Sequence, residues 1–426
     1  MKKRPFLLLV LFLCLAVLII VLLCFLPGEL LDPPKQPDPF DARDLKYRLQ
    51  KDGTLKIDEY KGNAEKIILP SEFEGKRISC IGWRAFRDCM NLTSITLPDS
   101  ITTIGRRAFD RCEKLAEIVI PESVTAIEES AFYDCKSLTS IRIPDSVTEL
   151  DANPFTGCNQ LDIMLSPDHP TLTFSDGLLM TKDGTRLIAY TQSHMNPSFT
   201  IPETVTEIGN RALAFTELTE ITIPENVKTI GECAFKWCNG LTSVIIPDTV
   251  VSLGEGAFTG SENLTSVTLP GTLTAIGSYT FEGCSSLASI VIPEGVTDIG
   301  DNAFHWCFKL DSVVIPDGVA TIGWHAFEMS GLSSVRLPEG LVEIGRDAFW
   351  NCKKLESVTI PDSVVRICDS AFASCPELAS VYIPAAVDDI GHYVFNDCDK
   401  LTVIVAADSP GERYCRDFGL QYVCSD

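Results

Sequence analysis

Basic residues and histidine are scarce in this chain. Its 426 residues include 35 Lys and Arg against 58 Asp and Glu, for a formal net charge of −23, and only 5 histidines. Without a stripe of lysine and arginine there is little to neutralise phosphates, which argues against nucleic acid as a partner. The same deficit argues against docking on anionic lipid, and the acidic surface is expected to keep an extended protein soluble.

Sequence motifs of catalysis and of cofactor binding are lacking as well. There is no Gly-rich phosphate loop, no His-Glu-x-x-His zinc motif and no nucleophile elbow. The two histidines in adjacent repeats, His305 and His325, hold different repeat positions. A metal site or an acid–base pair built on them is the alternative to our interpretation of the histidines as surface polar residues. We therefore expect no enzyme, no cofactor and no metal.

The chain does contain one short phrase that returns through most of its length. From Pro202 to Pro384 an Ile-Pro or Leu-Pro dipeptide recurs at a nearly constant step. A short fixed period is typical of repeats that cannot bury their apolar face alone and must stack on their neighbours. The sequence therefore predicts a solenoid of about 13 units. Their marker prolines are Pro70, Pro98, Pro121, Pro144, Pro202, Pro224, Pro247, Pro270, Pro293, Pro316, Pro338, Pro361 and Pro384.

One copy shows how a unit is expected to fold. Ile95 and Leu97 alternate with polar residues, which predicts a half-buried strand that ends at Pro98. Gly105 is expected to turn the chain with a positive φ. The apolar residues after it are spaced by three or four, which predicts short helical turns: Ala108, Phe109, Cys112 and Leu115. The fold class is therefore an α/β repeat solenoid, with short parallel strands on one side, phenylalanine-bearing helical turns on the other and a continuous core.

Most of the 17 cysteines follow the repeat. Ten hold one repeat position, three residues after Phe and three before Leu: Cys89, Cys112, Cys135, Cys158, Cys238, Cys284, Cys307, Cys352, Cys375 and Cys398. That column faces the core, so we interpret it as buried thiols that pack as small hydrophobes. Cys415 and Cys424 lie outside the column and are the best candidates for a disulfide.

The N-terminus has a different composition. Basic residues at 2–4 precede an apolar run at 6–26 that would span ~31 Å as a helix, enough for a bilayer. Residues 1–27 are predicted to be a signal anchor, a transmembrane helix with the repeats outside the cell. A cleaved signal peptide, which would make the protein secreted, is the alternative. Residues 28–44 are proline-rich and predict a stiff tether.

The remaining boundaries follow from breaks in the period. Residues 45–69 predict a hairpin that caps the N-terminal end of the stack. The solenoid is expected over 70–405, with a hairpin insertion at about 159–200, because the step from Pro144 to Pro202 is more than twice the usual one. Residues 406–426 lose the pattern and predict a C-terminal cap.

The repeat phrase carries a family resemblance. It reads Leu-x-Ser-Ile-x-Ile-Pro-x-x-Val-x-x-Ile-Gly-x-x-Ala-Phe-x-x-Cys and resembles the BspA-like leucine-rich repeat, also called the Treponema pallidum type, over about residues 45–426. The resemblance implies a cell-surface or secreted bacterial protein, often an adhesin that binds proteins of a host or of other cells. It brings no catalytic residues, because the family motif is structural.

Two exposed sets of side chains are candidate partner-binding surfaces. The variable column of the strands is unusually apolar in its C-terminal half, as expected if a partner covers it; its candidates are Ile245, Val291, Val314, Arg336 and Tyr382. Tryptophans cluster in the helical turns and would anchor protein or stack on sugars: Trp237, Trp306, Trp324 and Trp350. The alternatives are that β-branched residues simply suit strands and that each Trp packs over a neighbouring rung.

We therefore expect a monomeric, membrane-tethered, non-catalytic surface protein that binds an extracellular protein or glycan, as an adhesin does. An inert structural spacer or envelope scaffold is the second hypothesis. An accessory binding domain of an extracellular enzyme system is the third, disfavoured because the chain has no catalytic module.

Overall fold

The computed structural model describes residues 40–150, 152–158, 160–191 and 198–425. The predicted transmembrane helix at 1–27 lies outside the described residues, as does the predicted tether up to residue 39. Within the described ranges, no helix has the length and apolarity needed to cross a bilayer.

The described chain is a parallel β-solenoid, and each rung places a short strand in a first ladder. Ile95 points into the core while Thr96 is exposed, and Ile95 pairs in register with Ile118 of the next rung. This is the period-two alternation that the sequence predicts. The strands of the first ladder are Lys66–Ile68, Ser94–Thr96, Glu117–Val119, Ser140–Arg142, Asp162–Met164, Ser198–Thr200, Glu220–Thr222, Ser243–Ile245, Ser266–Thr268, Ser289–Val291, Ser312–Val314, Ser334–Arg336, Ser357–Thr359, Ser380–Ile383, Thr402–Ala406 and Tyr422–Ser425.

A second ladder of mostly two-residue strands runs beside the glycine column. In Thr103–Ile104 the isoleucine is buried, and it pairs in register with Ile127. Two residues are too few to show a period, so sequence reasoning missed the two-residue strands, whereas Arg186–Tyr190 was expected as part of the hairpin insertion. The strands of the second ladder are Lys76–Ile81, Thr103–Ile104, Ala126–Ile127, Arg186–Tyr190, Glu207–Ile208, Thr229–Ile230, Ser252–Leu253, Ala275–Ile276, Asp298–Ile299, Thr321–Ile322, Glu343–Ile344, Arg366–Ile367 and Asp389–Ile390.

The predicted helical turns around each phenylalanine are wrong. Arg107 and Arg111, two residues before and after Phe109, have left-handed backbones with φ of 55° and 59°. Single left-handed residues end a right-handed helix. The N–H of Phe109 therefore bonds the carbonyl of Ala131 in the next rung, at 2.8 Å. This side of the solenoid is a stack of turns tied together between rungs, so the fold is a β-solenoid and not α/β.

The two ends of the described stack carry their own elements. At the N-terminal end the strands Leu45–Leu49 and Leu55–Tyr60 pair antiparallel, after a short 3₁₀ turn at Ala42–Asp44, and Glu72–Phe73 pairs antiparallel with the start of the second ladder. At the C-terminal end lies α1, Pro410–Asp417, the one α-helix of the described chain. The hydroxyl of Ser409 caps it by accepting the N–H of Glu412.

The phenylalanine column forms an aromatic stack through the core. Consecutive rings lie with centroids 5.0–5.8 Å apart and planes within 16° of parallel. The stack is interrupted between Phe155 and Phe235, where Leu213 takes the column position. Since each ring touches the rings of both neighbouring rungs, the stack couples adjacent repeats.

The glycine column has a role other than the predicted one. Gly105 does not have a positive φ. Instead, a Cβ on Gly105 would lie 2.7 Å from the carbonyl oxygen of Ile81 in the preceding rung. The column is glycine because neighbouring rungs approach backbone to backbone there, and a side chain would push them apart.

The predicted burial of the cysteine column is confirmed at eight of its ten positions, Cys89 and Cys398 being only half-buried, and the column also forms hydrogen bonds. The thiol of Cys112 donates to the carbonyl of Phe86 in the preceding rung at 3.0 Å, and Cys307 donates to Phe281 at 3.2 Å. Where the column holds Ser261, the hydroxyl makes the same bond to Phe235 at 2.8 Å. Sequence reasoning treated these cysteines as small hydrophobes and missed their role as donors.

The candidate disulfide between Cys415 and Cys424 is not formed. Both are free thiols, as are all the described cysteines; Cys415 is buried in α1 and Cys424 is exposed on the last strand. Burial raises the pKa of the Cys415 thiol to about 11.

The long insertion divides the core. It forms an antiparallel sheet of Leu172–Ser175, Leu178–Thr181 and Arg186–Tyr190, and its last strand joins the second ladder. Successive side chains of a strand point to opposite faces. Leu179 therefore belongs to a core that begins at Leu45, whereas Leu178 belongs to one that ends at Cys415. The predicted continuous core is in fact two cores on the two faces of this sheet.

Candidate functional site

The exposed column of the first ladder is the first candidate surface. We call Ile245, Thr268, Val291, Val314, Arg336, Thr359 and Tyr382 the strand strip. Val291 and Val314 are register partners on adjacent strands, and 77% and 66% of their surfaces are exposed. Ile245 is 71% exposed two rungs earlier. Three aliphatic side chains thus face solvent on regular backbone.

Polar groups border the aliphatic part of the strip. Arg336, the register partner of Val314, forms an ion pair with Asp317 at 3.2 Å, and both side chains are exposed. Tyr382 is half-buried between Thr359 and Ile404 on the neighbouring strands. Beside the strip runs an unbroken column of serines: Ser243, Ser266, Ser289, Ser312, Ser334, Ser357 and Ser380. The strip therefore combines aliphatic side chains with a uniform hydroxyl border.

The four candidate tryptophans do not form one surface. Trp237 and Trp306 share the left-handed position two residues after the phenylalanine column, with φ of 57° and 61°. Trp324 lies three residues before that column and lines a separate hollow of about 380 Å³ with charged neighbours. Trp350 directly follows Phe349 and is half-buried. Only Trp237 and Trp306 are brought to one place.

These two indoles line an open groove of about 440 Å³ on the turn side. The same backbone position is glycine in the two rungs between them, Gly260 and Gly283. Phe308 extends the aromatic wall and is half exposed. The polar residues that line the groove are Lys236, Thr259, Glu262, Glu282 and Ser285. A volume of this size is within the range of small-ligand sites.

A buried histidine lies beneath one wall of this groove. His305 packs against the Trp306 indole at 4.2 Å, and its ring nitrogens lie 3.7 Å from Glu282 and 3.6 Å from Glu328. These distances are ion-pair contacts and too long for hydrogen bonds. His325 hydrogen-bonds to the other oxygen of Glu328. His305 and His325 are thus drawn together by one shared carboxylate, that of Glu328, contrary to our expectation of independent surface residues.

The His305 ion pairs predict a pH-dependent stability. Burial alone would lower the pKa of His305, but the carboxylates of Glu282 and Glu328 outweigh it and raise the pKa to about 9. The stabilisation is therefore complete below pH 6.5, the ordinary pKa, and is lost as the pH rises through about 9. Urea unfolding at pH 6 and pH 9.5 measures the change in the free energy of unfolding. Between these two pH values the wild type should lose about 1–2 kcal/mol more of it than His305→Gln does.

Thiols of the unfolded chain also ionise in this pH range, but they do so equally in both proteins, so the difference isolates His305. The matched control is His392→Gln, whose side chain is 78% exposed. His392→Gln should follow the wild type. An identical pH profile for His305→Gln and the wild type would show that the ion pairs do not stabilise the fold.

Several groove residues escaped sequence reasoning. Gly260, Gly283, Phe308 and Glu262 were not singled out. A signal was present, because aligning the repeats on the phenylalanine column places Trp, Gly, Gly and Trp in consecutive rungs. The pattern could not be interpreted as a groove, because we expected a helix at these positions and not turns with left-handed residues.

A family model for the BspA type leucine rich repeat region matches the chain over residues 60–174, 188–311 and 297–410. A leucine-rich repeat protein from Eubacterium ventriosum is similar in structure, with a TM-score of 0.58 at 24% identity over 78% of this chain and 93% of that one. A leucine rich cell surface protein from Faecalibacterium prausnitzii has a TM-score of 0.48 at 25% identity over 90% and 98%.

The likeness to the Eubacterium ventriosum structure shows the leucine-rich-repeat fold. No curated protein gives a significant match. The family model covers well over half of the sequence, on the residues that form the rungs. The chain belongs to the BspA-type leucine-rich-repeat family.

Proposed function

We propose that this chain is an adhesin-like surface protein that binds a protein ligand through the strand strip and catalyses no reaction. Membership of the BspA-type family is consistent with a binding or scaffold role. The observation that carries the proposal is the exposure of Ile245, Val291 and Val314 on regular strands. Exposed aliphatic surface is costly in water and is recovered when a partner covers it.

Rigidity supports the same role. Each strand of the strip is hydrogen-bonded in register to a neighbour, as Val291 is to Val314 and Arg336 is to Thr359. A surface held by backbone pairing loses little conformational entropy on binding. Arg336 and its partner Asp317 supply a charged border to the aliphatic centre, the arrangement of protein interfaces.

A double substitution tests the strip. Val291→Asp with Val314→Asp replaces two exposed aliphatic side chains with charges and should weaken binding at least tenfold, about 1.4 kcal/mol or more. Binding is measured with the full-length protein against a panel of immobilised extracellular-matrix proteins and glycans. The matched control is Val342→Asp with Val365→Asp, exposed valines of adjacent rungs beside the second ladder. Equal losses in the two double variants would contradict the proposal.

The alternative is an inert spacer or envelope scaffold. The unbroken serine column from Ser243 to Ser380 favours it, because a surface selected for one partner is expected to vary along its length. Absence of any saturable ligand in the panel would leave the spacer as the better account.

The proposed location is outside the cell, in a monomer held by the N-terminal segment as a single-pass anchor or secreted if that segment is cleaved. The basic residues before the apolar run support this orientation. Protease added to intact cells tests it, since protection of the repeats would contradict an exterior location.

A further inference from the structure

We propose that the groove between Trp237 and Trp306 is a binding site for a neutral oligosaccharide. It lies on the turn side, away from the strand strip, and uses none of the strip's residues. The inference is therefore independent of protein binding through the strip.

The repeat sets the length of the groove. Trp237 and Trp306 occupy the same rung position three rungs apart, and the phenylalanines beneath them step by 5.0, 5.6 and 5.4 Å. The two indoles are thus anchored three such steps apart along the stack. Several linked pyranose rings fit in that distance, so one chain can reach both aromatic walls.

The glycines keep the space between the walls open. The Trp237 indole lies over Gly260, where a Cβ would come within 2.8 Å of the ring. A Cβ on Gly283 would meet nothing closer than 3.5 Å, the Cα of Gly260. Gly283 is therefore the open floor of the groove. Trp306 likewise leans over the following rung, with its ring N–H donating to the sulfur of Met329 at 3.1 Å, so it leaves Gly283 uncovered.

The polar groups of the groove include both hydrogen-bond donors and hydrogen-bond acceptors. Among the described residues, Lys236 and Glu262 have no ion-pair partner, so one donor and one acceptor are free at the rim. Glu282 is engaged with His305. A sugar ring offers apolar C–H faces to aromatic rings and hydroxyls that both donate and accept. Aromatic walls with one free donor and one free acceptor match that chemistry.

Charge selects against other ligands. The lining carries one ammonium, on Lys236, and two carboxylates, on Glu262 and Glu282, with the His305 imidazole against Glu282, while the whole chain carries −23. A basic peptide would meet the ammonium of Lys236, and an anionic ligand would be repelled by the surrounding field. A neutral ligand is repelled by neither the ammonium nor the acidic surface.

Calorimetric titration tests the site with the full-length protein in a detergent that has no sugar headgroup. The probes are cellotetraose, chitotetraose, mannotetraose and xylotetraose, with tetralysine for comparison. At least one sugar should bind saturably, and Trp306→Ala should weaken it at least about tenfold. Gly283→Met should do the same by filling the floor, and Met329 already holds that left-handed position with φ of 55°. Trp324→Ala, an exposed indole outside the groove, is the matched control.

Each remaining outcome overturns the proposal. These are no saturable heat from any of the sugars, preferential binding of tetralysine, or an equal loss in Trp324→Ala. The strip variant Val291→Asp with Val314→Asp should bind the sugar as the wild type does. The proposal for the strip and the proposal for the groove can therefore fail independently of each other. Urea unfolding of each variant shows whether a loss of binding is due to loss of the fold.

Discussion

Phe304→Ala is expected to lower the free energy of unfolding by about 3–5 kcal/mol. The Phe304 ring is fully buried, with centroids 5.4 Å from Phe281 and 5.1 Å from Phe327. Its removal loses the apolar transfer energy, leaves a cavity and breaks the aromatic stack on both sides. The backbone cannot collapse into the space, because the N–H of Phe304 is bonded to the next rung. Urea denaturation of the full-length protein measures the change.

The matched control for this loss is Phe308→Ala. Phe308 is the same residue type four positions later, and half of its surface is exposed. Its replacement should cost about 1–2 kcal/mol at most, since half of the side chain stays in water and no cavity is left in the core. Similar costs for the two variants would mean that the phenylalanine column does not stabilise the stack.

Gly323→Ala is the second substitution with a large expected effect, a loss of about 2–4 kcal/mol. A Cβ on Gly323 would lie 2.6 Å from the carbonyl carbon of Gly300 and 2.7 Å from the nitrogen of Asp301. Both atoms are backbone and cannot turn away as a side chain does. The added methyl must therefore push two rungs apart and lengthen the hydrogen bonds between them. Urea denaturation again measures the cost.

Gly271→Ala is the control, because it adds the same methyl where there is room. A Cβ there would meet only the carboxylate of Asp248, at 3.9 Å, and Gly271 has no positive φ. The expected change is within about 0.5 kcal/mol, or slightly stabilising through a less flexible unfolded chain. Loss of stability at Gly271 as large as at Gly323 would refute the account of the glycine column.

The repeat period and the strand alternation were readable from the sequence because each depends on residues close in the chain. The nearly constant step between marker prolines predicts the rung. The alternation within Ser289–Val291 predicts which side chains face water, and Val291 is exposed as expected. The strand strip could therefore be located from the sequence alone.

Other features depend on contacts between rungs, which one repeat does not reveal. A spacing of three or four residues around Phe109 is the pattern of a helix, but Arg107 and Arg111 hold left-handed backbones instead. The reason for the glycine column is a backbone in the preceding rung. The division of the core by Leu178 and Leu179 depends on where the insertion enters the stack.

The tryptophan set shows the same limit at the candidate site. Residue type alone grouped four tryptophans, and the structure separates Trp324 and Trp350 from the two that share a groove. The groove itself is defined as much by Gly260 and Gly283 as by the indoles. Small residues carry no apolar signal, so their contribution appears only once the rungs are superposed.

The central claim is that successive copies of the repeat stack in register with their phenylalanines in contact. Nuclear Overhauser contacts between phenylalanine rings, in the full-length protein with selectively labelled Phe, test it most directly. The account predicts that Phe304 shows contacts to Phe281 and Phe327, and that such contacts continue from Phe235 to Phe395 at centroid spacings of 5.0–5.8 Å. Rings that contact only residues of their own repeat would contradict it.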